Sequence, residues 1–493
     1  MRTRHKIIRW VFLIAELITS ALLVITIIRS KFFPVKYTGL AVLILAAIWV
    51  LDLVLTRKHH HHKISYWTGI ALALIISILS GLAFHYLQTT VNTAKKITNA
   101  KTESTVYGVY VLKDNKAQSI GETKNYNFGI SKSDDSKKLN QVFLRIAKDQ
   151  GIDKDQGAAK LSASNSYDDL LSMATGLLQK ESDAIVMNEA FLPAISEVDG
   201  YQDFKSQIRE IKSYDIKTEV QLADQGQKEA DGVFTIFISG IDTPGAVSKT
   251  SRSDVNILAT VNTKTHQIFL LTTPRDYYVP LSISNGVKDK LTHAGIYGVN
   301  VSMDTLSMLY DTKIDYYFRL NFTGFTNIIQ ALGGVRVHSD YDFQAGGYTF
   351  VKGDNYLNSD EALAFARERH AFPQGDVQRG KDQMYVIEGV INKLSSAAVL
   401  KNFDQLMTSL SDSFETSIPY DTISSLVSDQ LNDGKSWDIQ KYHVEGSGAK
   451  NTTYSMPNFQ AYVMIPDQNS VNQAKEYLDQ IEQDQTIQVE QKD

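Results

Sequence analysis

Residues 233–273 read VFTIFISGIDTPGAVSKTSRSDVNILATVNTKTHQIFLLTT, and this stretch decides the fold. Its segments 233–239, 255–261 and 267–273 are strand-length runs of β-branched, aromatic and aliphatic residues, and the polar turn 262–266 joins the last two as a hairpin. In an antiparallel pair the start of one strand and the end of the next lie at the same edge. Arg252 and Asp254, just before 255–261, therefore meet Arg275, just after 267–273. Asp242 joins them if 233–239 also runs antiparallel, giving one sheet edge two carboxylates and two guanidinium groups.

Downstream, apolar spacing predicts helices over 301–310, 322–332, 360–366 and 378–394, with Asn358 as an N-cap and Glu361 three positions on. A strand at 335–338 follows the break Gly333-Gly334, and 461–465 is a strand in a mixed tail. The unit is an α/β (α+β) domain with a central sheet over 230–485, its core motifs lying within 232–396. It carries a second cluster, Arg367-Glu368-Arg369-His370, then a turn through Pro373 and Gly375, then Asp376, Arg379 and Gln383. Arg367 and Arg369 share a side only if the chain turns extended between them. Arg379 and Gln383 share a face at a helix head, where anions are favoured. Arginines with paired aspartates describe a pyrophosphate–metal site, because guanidinium forks match phosphate oxygens and carboxylates hold a hard divalent cation. The competing reading of 360–376 is a solvated face with ion pairs worth roughly 0–1 kcal/mol each. His293 reads equally as an acid/base group or a hydrogen-bonded structural histidine. The sequence holds no G-x-S-x-G elbow, Walker loop, H-E-x-x-H or Rossmann glycine fingerprint.

Upstream, 104–222 alternates strands (105–112, 126–131, 184–187) with helical segments (135–148, 167–179, 189–198), a small accessory α/β domain that serves as binding module or spacer. The polar break 224–231 separates it from the sheet domain. Residues 1–90 hold three apolar stretches, about 10–28, 38–55 and 66–87, each near the ~20 residues a helix needs to cross a bilayer. A polar stalk, 88–104, follows them. The charge of −5 over 493 residues divides accordingly, +8 on residues 1–90 and −13 on the rest. Seven positive residues before span one and between spans two and three, against three between spans one and two, orient the N-terminus to the cytoplasm and everything after residue 90 outside. His59–His62, in the loop between spans two and three, reads as a solvated polar tract ahead of a metal-binding one, and Glu16 and Asp52 face other helices or headgroups. A hydrophobic share of 43% with 21% charged residues excludes a disordered chain or a histone-like nucleic-acid binder, and the absence of cysteine excludes disulfides and thiolate chemistry.

The stretches FISGIDTPG (237–245), SRSDVNILATVN (251–262), LLTTPRDYYV (270–279), DKLTHAGIYG (289–298), LNFTGF (320–325), ALGGV (331–335) and ALAFARERH with GDVQRGKDQ (362–383) resemble the LytR–CpsA–Psr family, and the three spans with an accessory domain resemble its CpsA-type streptococcal capsule-locus members. The resemblance implies a central mixed sheet flanked by helices. It also implies a membrane-anchored phosphotransferase that moves a capsular or teichoic-acid-like glycopolymer from a polyprenyl-pyrophosphate carrier to peptidoglycan through a phosphodiester. Carried over, Asp242 and Asp254 would hold Mg²⁺ or Mn²⁺. Arg252, Arg275, Lys290, Arg367, Arg369, Arg379 and Gln383 would grip the pyrophosphate, with Arg275, Arg367, Arg369 and Asp254 acting catalytically. Phe269, Leu271 and Ile387 would line a lipid slot or belong to ordinary core. The implied partners are the lipid-linked polymer, peptidoglycan, the bilayer and other capsule-assembly proteins, but not nucleic acid. Three alternatives stand beside this: regulation of capsule gene expression, a non-catalytic capsule-assembly scaffold, and a simple pyrophosphatase, which differs only in taking water in place of a sugar as acceptor.

Overall fold

The computed structural model describes residues 2–57, 63–98, 102–220, 232–241, 247–396, 399, 406–407, 409–410 and 412–490. His59–His62, Asp242 and the break 224–231 lie outside these residues. Three apolar helices open the chain: α1 (Arg2–Ser30), α2 (Val35–Arg57) and α3 (Lys63–Thr98). Each is long and apolar enough to cross a membrane, and large side chains such as Val11, Leu43 and Leu82 stand exposed on them. Glu16 and Asp52 are both buried between the helices. The stalk expected at 88–104 is different: α3 continues as helix to Thr98, and Thr102–Ser104 already belong to a strand. The Thr/Lys/Asn composition read as stalk carries no helix breaker, so the helix propagates.

The accessory unit is a five-stranded sheet. Its strands β1 (Thr102–Leu112), β2 (Phe128–Ser131), β3 (Asn165–Tyr167), β4 (Ala184–Asn188) and β5 (Ile208–Glu219) lie in the order β3-β2-β4-β1-β5. Helix α4 (Ser136–Asp149) begins at Asp135, whose carboxylate caps Lys137 and Lys138 N–H, and it buries Leu139, Val142, Phe143 and Ile146 against the sheet. The helix expected over 189–198 is shorter, a single 3₁₀ turn followed by α5 (Leu192–Ser196) with Pro193 in its first turn.

The larger sheet contains six strands: β6 (Val233–Ile241), β7 (Ser253–Asn262), β8 (Gln267–Thr272), β9 (Tyr316–Asn321), β10 (Phe414–Thr416) and β11 (Asp438–His443), ordered β10-β9-β6-β7-β8-β11. β7 runs antiparallel to both β6 and β8, whereas β9 adds parallel to β6 and β11 parallel to β8, so the sheet is mixed. Alternate residues serve two cores. Phe237, Leu258, Phe269 and Leu271 face α6 (Val299–Tyr310) and α7 (Gln468–Glu482), while Ile257, Ala259, Ile268 and Leu270 face α8 (Asp376–Leu394) through Met384 and Ile387.

Helices on both faces account for the unbroken apolar runs of β7 and β8.

The two units and the spans are joined by buried contacts. Arg319 of β9 is 2% exposed and pairs with Glu103 of β1 and, at 3.0 Å, with Glu415 of β10. Glu103 also accepts the Val299 N–H at 3.0 Å, and Tyr317 donates to Glu415 at 2.7 Å. Ile296 and Met456 of the larger unit share one apolar cluster with Phe191, Ala194 and Met187 of the smaller. At the spans, Tyr420 stacks edge-on with Phe32 and donates to the Ser30 carbonyl at 3.0 Å, beside a Lys31–Asp421 pair. Truncating one member of a buried ionic cluster leaves charge unpaired, at a cost of about 3–5 kcal/mol. Arg319→Ala is therefore expected to lower the denaturant midpoint of the detergent-solubilised chain strongly, and Arg336→Ala, an exposed pair with Asp354, to leave it nearly unchanged.

Candidate functional site

The hairpin brings its termini together as the strand pattern expects. Asp254 in β7 and Arg275 just beyond β8 form an ion pair at 3.0 Å. Asp254 also accepts from the Thr292 hydroxyl at 2.9 Å. Burial pushes the Asp254 carboxyl up, but the Arg275 and Arg252 guanidiniums and the Thr292 bond outweigh it and hold the group below its ordinary value. Asp254 is thus an ionised carboxylate.

Arg367 ends the helix Ser359–Arg367, which starts with the Asn358–Glu361 capping box that the sequence suggests. Glu368 is extended, and its Oε1 accepts the N–H groups of Arg369, His370 and Ala371 at 2.9, 2.5 and 2.9 Å. That carboxylate folds the chain into the extended turn that lets Arg367 and Arg369 line one cavity. Helix α8 then begins after Gly375, which stands at φ 52°, a conformation glycine adopts without the clash a Cβ brings. Asp376 in its first turn binds Arg379 at 3.2 Å and lies 3.7 Å from Arg369 and 3.8 Å from Arg275. Three guanidiniums so converge on one carboxylate. Desolvation lowers the Arg379 pKa, with Asp376 opposing it and the Arg275 charge adding to it. Arg367 has no carboxylate within ion-pair distance among the described residues; its guanidinium lies 4.3 Å from the centroid of the Phe322 ring.

These groups line a cavity of about 450 Å³. Arg275, Arg367, Arg369, Arg379, Asp254 and Gln383 belong to its polar lining, as do Glu197, Asn321 and His370, while Ile238, Val255, Leu320, Phe325, Leu363 and Ile387 are apolar. Along α8 the lining changes over two turns from Arg379 through Gln383 to Val386 and Ile387. The cavity is therefore amphipathic, with its charges gathered where strand β7 begins and strand β8 ends. Ile387 lines it, but Phe269 and Leu271 do not: both point to the opposite face of the sheet, packed among the α6 and α7 side chains. Arg252 turns to Glu197 at 2.5 Å and acts on Asp254 through its field. Lys290 sits in a neighbouring cleft, 3.2 Å from Asp276 and 4.0 Å from Glu197. His293 is buried at 1% exposure between Asp289 and Ser455, a structural histidine.

Glu197 is the residue that sequence reasoning misses. It follows α5 of the accessory unit, yet it lines both the cavity and the cleft. Nothing local marks it, since its partner Arg252 is 55 residues away.

As to a divalent cation, each Asp254 oxygen accepts one hydrogen bond and keeps a lone pair, so this carboxylate suits a hard metal. Asp242 lies outside the described residues, and among those residues no group of three or more His, Asp or Glu forms a metal cluster.

Residues 198–480 match the LytR_cpsA_psr family model. The chain is 32% identical over 218 residues, 44% of its own length and 70% of the relative's, to a Bacillus subtilis protein named polyisoprenyl-teichoic acid–peptidoglycan teichoic acid transferase TagU. It is 34% identical over 199 residues to the Enterococcus faecalis protein of the same name, covering 40% of this chain and 65% of that one. Among solved structures, Bacillus subtilis TagV is 28% identical with a TM-score of 0.44, over 52% of this chain and 99% of that one.

The same helix that presents Arg379 and Gln383 carries a buried acid on another side. Asp382 accepts from Gln378 at 2.9 Å, while its other oxygen and Gln378 Oε1 have no partner. Desolvation raises its pKa from the ordinary 3.8 to about 8. The folded state then binds a proton that the unfolded state has released, so stability falls as pH rises from about 4 to about 8. Asp382→Asn is expected to remove that part of the decline, raising the unfolding temperature at pH 8 more than at pH 5 in thermal scans.

Proposed function

The chain belongs to the LytR–CpsA–Psr family, and on that premise we propose that it is a membrane-anchored phosphotransferase moving a glycopolymer from a polyprenyl-pyrophosphate carrier to peptidoglycan. The observation that carries this reading is the amphipathic cavity, whose four arginines adjoin a slot of aliphatic and aromatic side chains. A polyprenyl pyrophosphate has the same two-part chemistry. The relatives named as teichoic acid transferases support the reaction class. We further propose that the three helices span the bilayer with the N-terminus in the cytoplasm and the catalytic domain facing the wall, since the loop charges favour that orientation.

In this reaction Arg275, Arg367, Arg369 and Arg379, with Gln383, grip the pyrophosphate oxygens and stabilise the charge that builds on the transferring phosphoryl group. The apolar slot holds the first isoprene units and keeps water from the phosphorus. A sugar hydroxyl attacks the polymer-bearing phosphorus, its oxygen forming the new P–O bond while the bridging P–O bond breaks and polyprenyl phosphate leaves with the electron pair. The hydroxyl proton passes to Asp376, whose Oδ1 accepts no hydrogen bond, while Asp254, each oxygen of which accepts one bond and keeps a lone pair, is left to the cation. A Mg²⁺ or Mn²⁺ ion bound by Asp254 with Asp242 would supply Lewis-acid charge to the phosphoryl oxygens. Asp254 and Asp376 also keep Arg275 in place when substrate is absent.

Transfer of labelled lipid-linked polymer to peptidoglycan is the test. Arg275→Ala and Arg367→Ala are each expected to lower the rate by roughly 10²–10³-fold, the scale set by removing one charge-stabilising donor, and Asp254→Ala, which takes away the carboxylate that positions Arg275, to lower it comparably. Lys290→Ala should be milder, because Lys290 lies in the adjoining cleft. Equal transfer by wild type and Arg275→Ala would sink this site.

A further inference from the structure

The accessory unit, read from sequence only as module or spacer, closes one side of a second cleft. This cleft measures about 590 Å³, within the roughly 300–1,000 Å³ range of small-molecule sites. Its catalytic-side lining includes Arg275, Arg369, His370 and Asp376, so it adjoins the arginine cluster directly. Glu197, Val198 and Asp199 of the accessory unit form one wall. The hairpin of β12 (Gly446–Asn451) and β13 (Ala461–Pro466) forms another, contributing Lys450 and Tyr462, with Gln460 just before it.

The chemistry of this lining differs from that of the lipid slot. Tyr462 is half exposed and lines the cleft, and the exposed polar residues Asp199, Lys450 and Gln460 line it too. An aromatic platform ringed by donors and acceptors suits a pyranose, which presents C–H groups on its face and hydroxyls at its edge. Position points the same way. In an in-line displacement the nucleophile enters opposite the leaving group. With the leaving polyprenyl phosphate held toward the apolar slot, the acceptor hydroxyl comes from the other side of Arg275 and Arg369, where this cleft lies.

We propose that the cleft is the acceptor subsite, binding a saccharide of the peptidoglycan strand, and that the accessory segment Glu197–Asp199 is part of its wall. This rests on the phosphotransferase reading above and adds where the acceptor binds. The accessory unit suits that task because it is not tethered loosely: Arg252–Glu197, Lys249–Glu189 at 2.7 Å and the Arg319–Glu103 pair fix it against the catalytic domain.

The test uses the full chain in detergent, a short polyprenyl-pyrophosphate saccharide as donor and an uncrosslinked muramyl glycan strand as acceptor. Tyr462→Ala is expected to raise the acceptor half-saturation about tenfold, equivalent to one lost ring-stacking contact, while Tyr462→Trp retains it. Asp199→Trp, which fills the cleft from the accessory side, should raise it at least about fivefold on the same scale. Donor affinity, measured separately, should stay unchanged in all three, which also reports that they are folded. An unchanged acceptor half-saturation in Tyr462→Ala and Asp199→Trp overturns the proposal. So does a loss confined to donor affinity, which would assign the cleft to the donor's own glycan. Failure of the underlying reading looks different: the wild type would then bind donor and transfer nothing to the strand.

Discussion

Four arginines facing one cavity repel one another, and the molecule is organised around holding them there. Asp254 and Asp376 do this from two directions. The first stands at the mouth of a hairpin and pairs with Arg275; the second opens a helix and draws Arg275, Arg369 and Arg379 toward itself. Arg367 is held otherwise, against the face of Phe322. A ring compensates the charge only in part, so this guanidinium keeps more of its appetite for an anion than its paired neighbours. The cluster is thus balanced enough to fold while part of its positive charge stays uncompensated.

Much of this was legible in the sequence where the chain does the work locally. Strands β6, β7 and β8 are consecutive and buried on both faces, so their apolar runs and connecting turn disclose both pairing and polarity. The meeting of Asp254 and Arg275 follows from that alone. Asn358 and Glu361 likewise announce a helix start by local hydrogen bonding. The side on which Arg367 and Arg369 meet depended on a turn that spacing leaves open; the three N–H groups gathered by Glu368 decide it.

What remained hidden was carried by distant segments or by exposed surfaces. Strand β5 pairs along the whole of β1, yet it alternates Lys, Glu and Asp with few buried positions, and as an edge strand it reads like a solvated loop. Glu197 gives no sign of belonging to the site, because its importance lies in a contact across units. The division of Phe269 and Leu271 from Ile387 needed the assignment of each sheet face to its covering helices, which alternation establishes only up to a reflection. The long α3 shows the opposite error, where polar composition suggested a stalk but nothing in it interrupts a helix.

The contact between Tyr420 and the end of α1 has a geometric consequence. Phe32, Leu87, Val91, Tyr420 and Val427 form one apolar cluster, so the apolar helices and the helix Tyr420–Asp433 are packed together. A domain on a free tether would sample every tilt and height above a lipid surface; a domain seated on its own spans keeps one. On the function proposed above, a substrate whose tail is confined to the bilayer would then search in two dimensions, with the entrance always at the same elevation. The remaining coordinate, rotation about the membrane normal, is the only one that each encounter must still find.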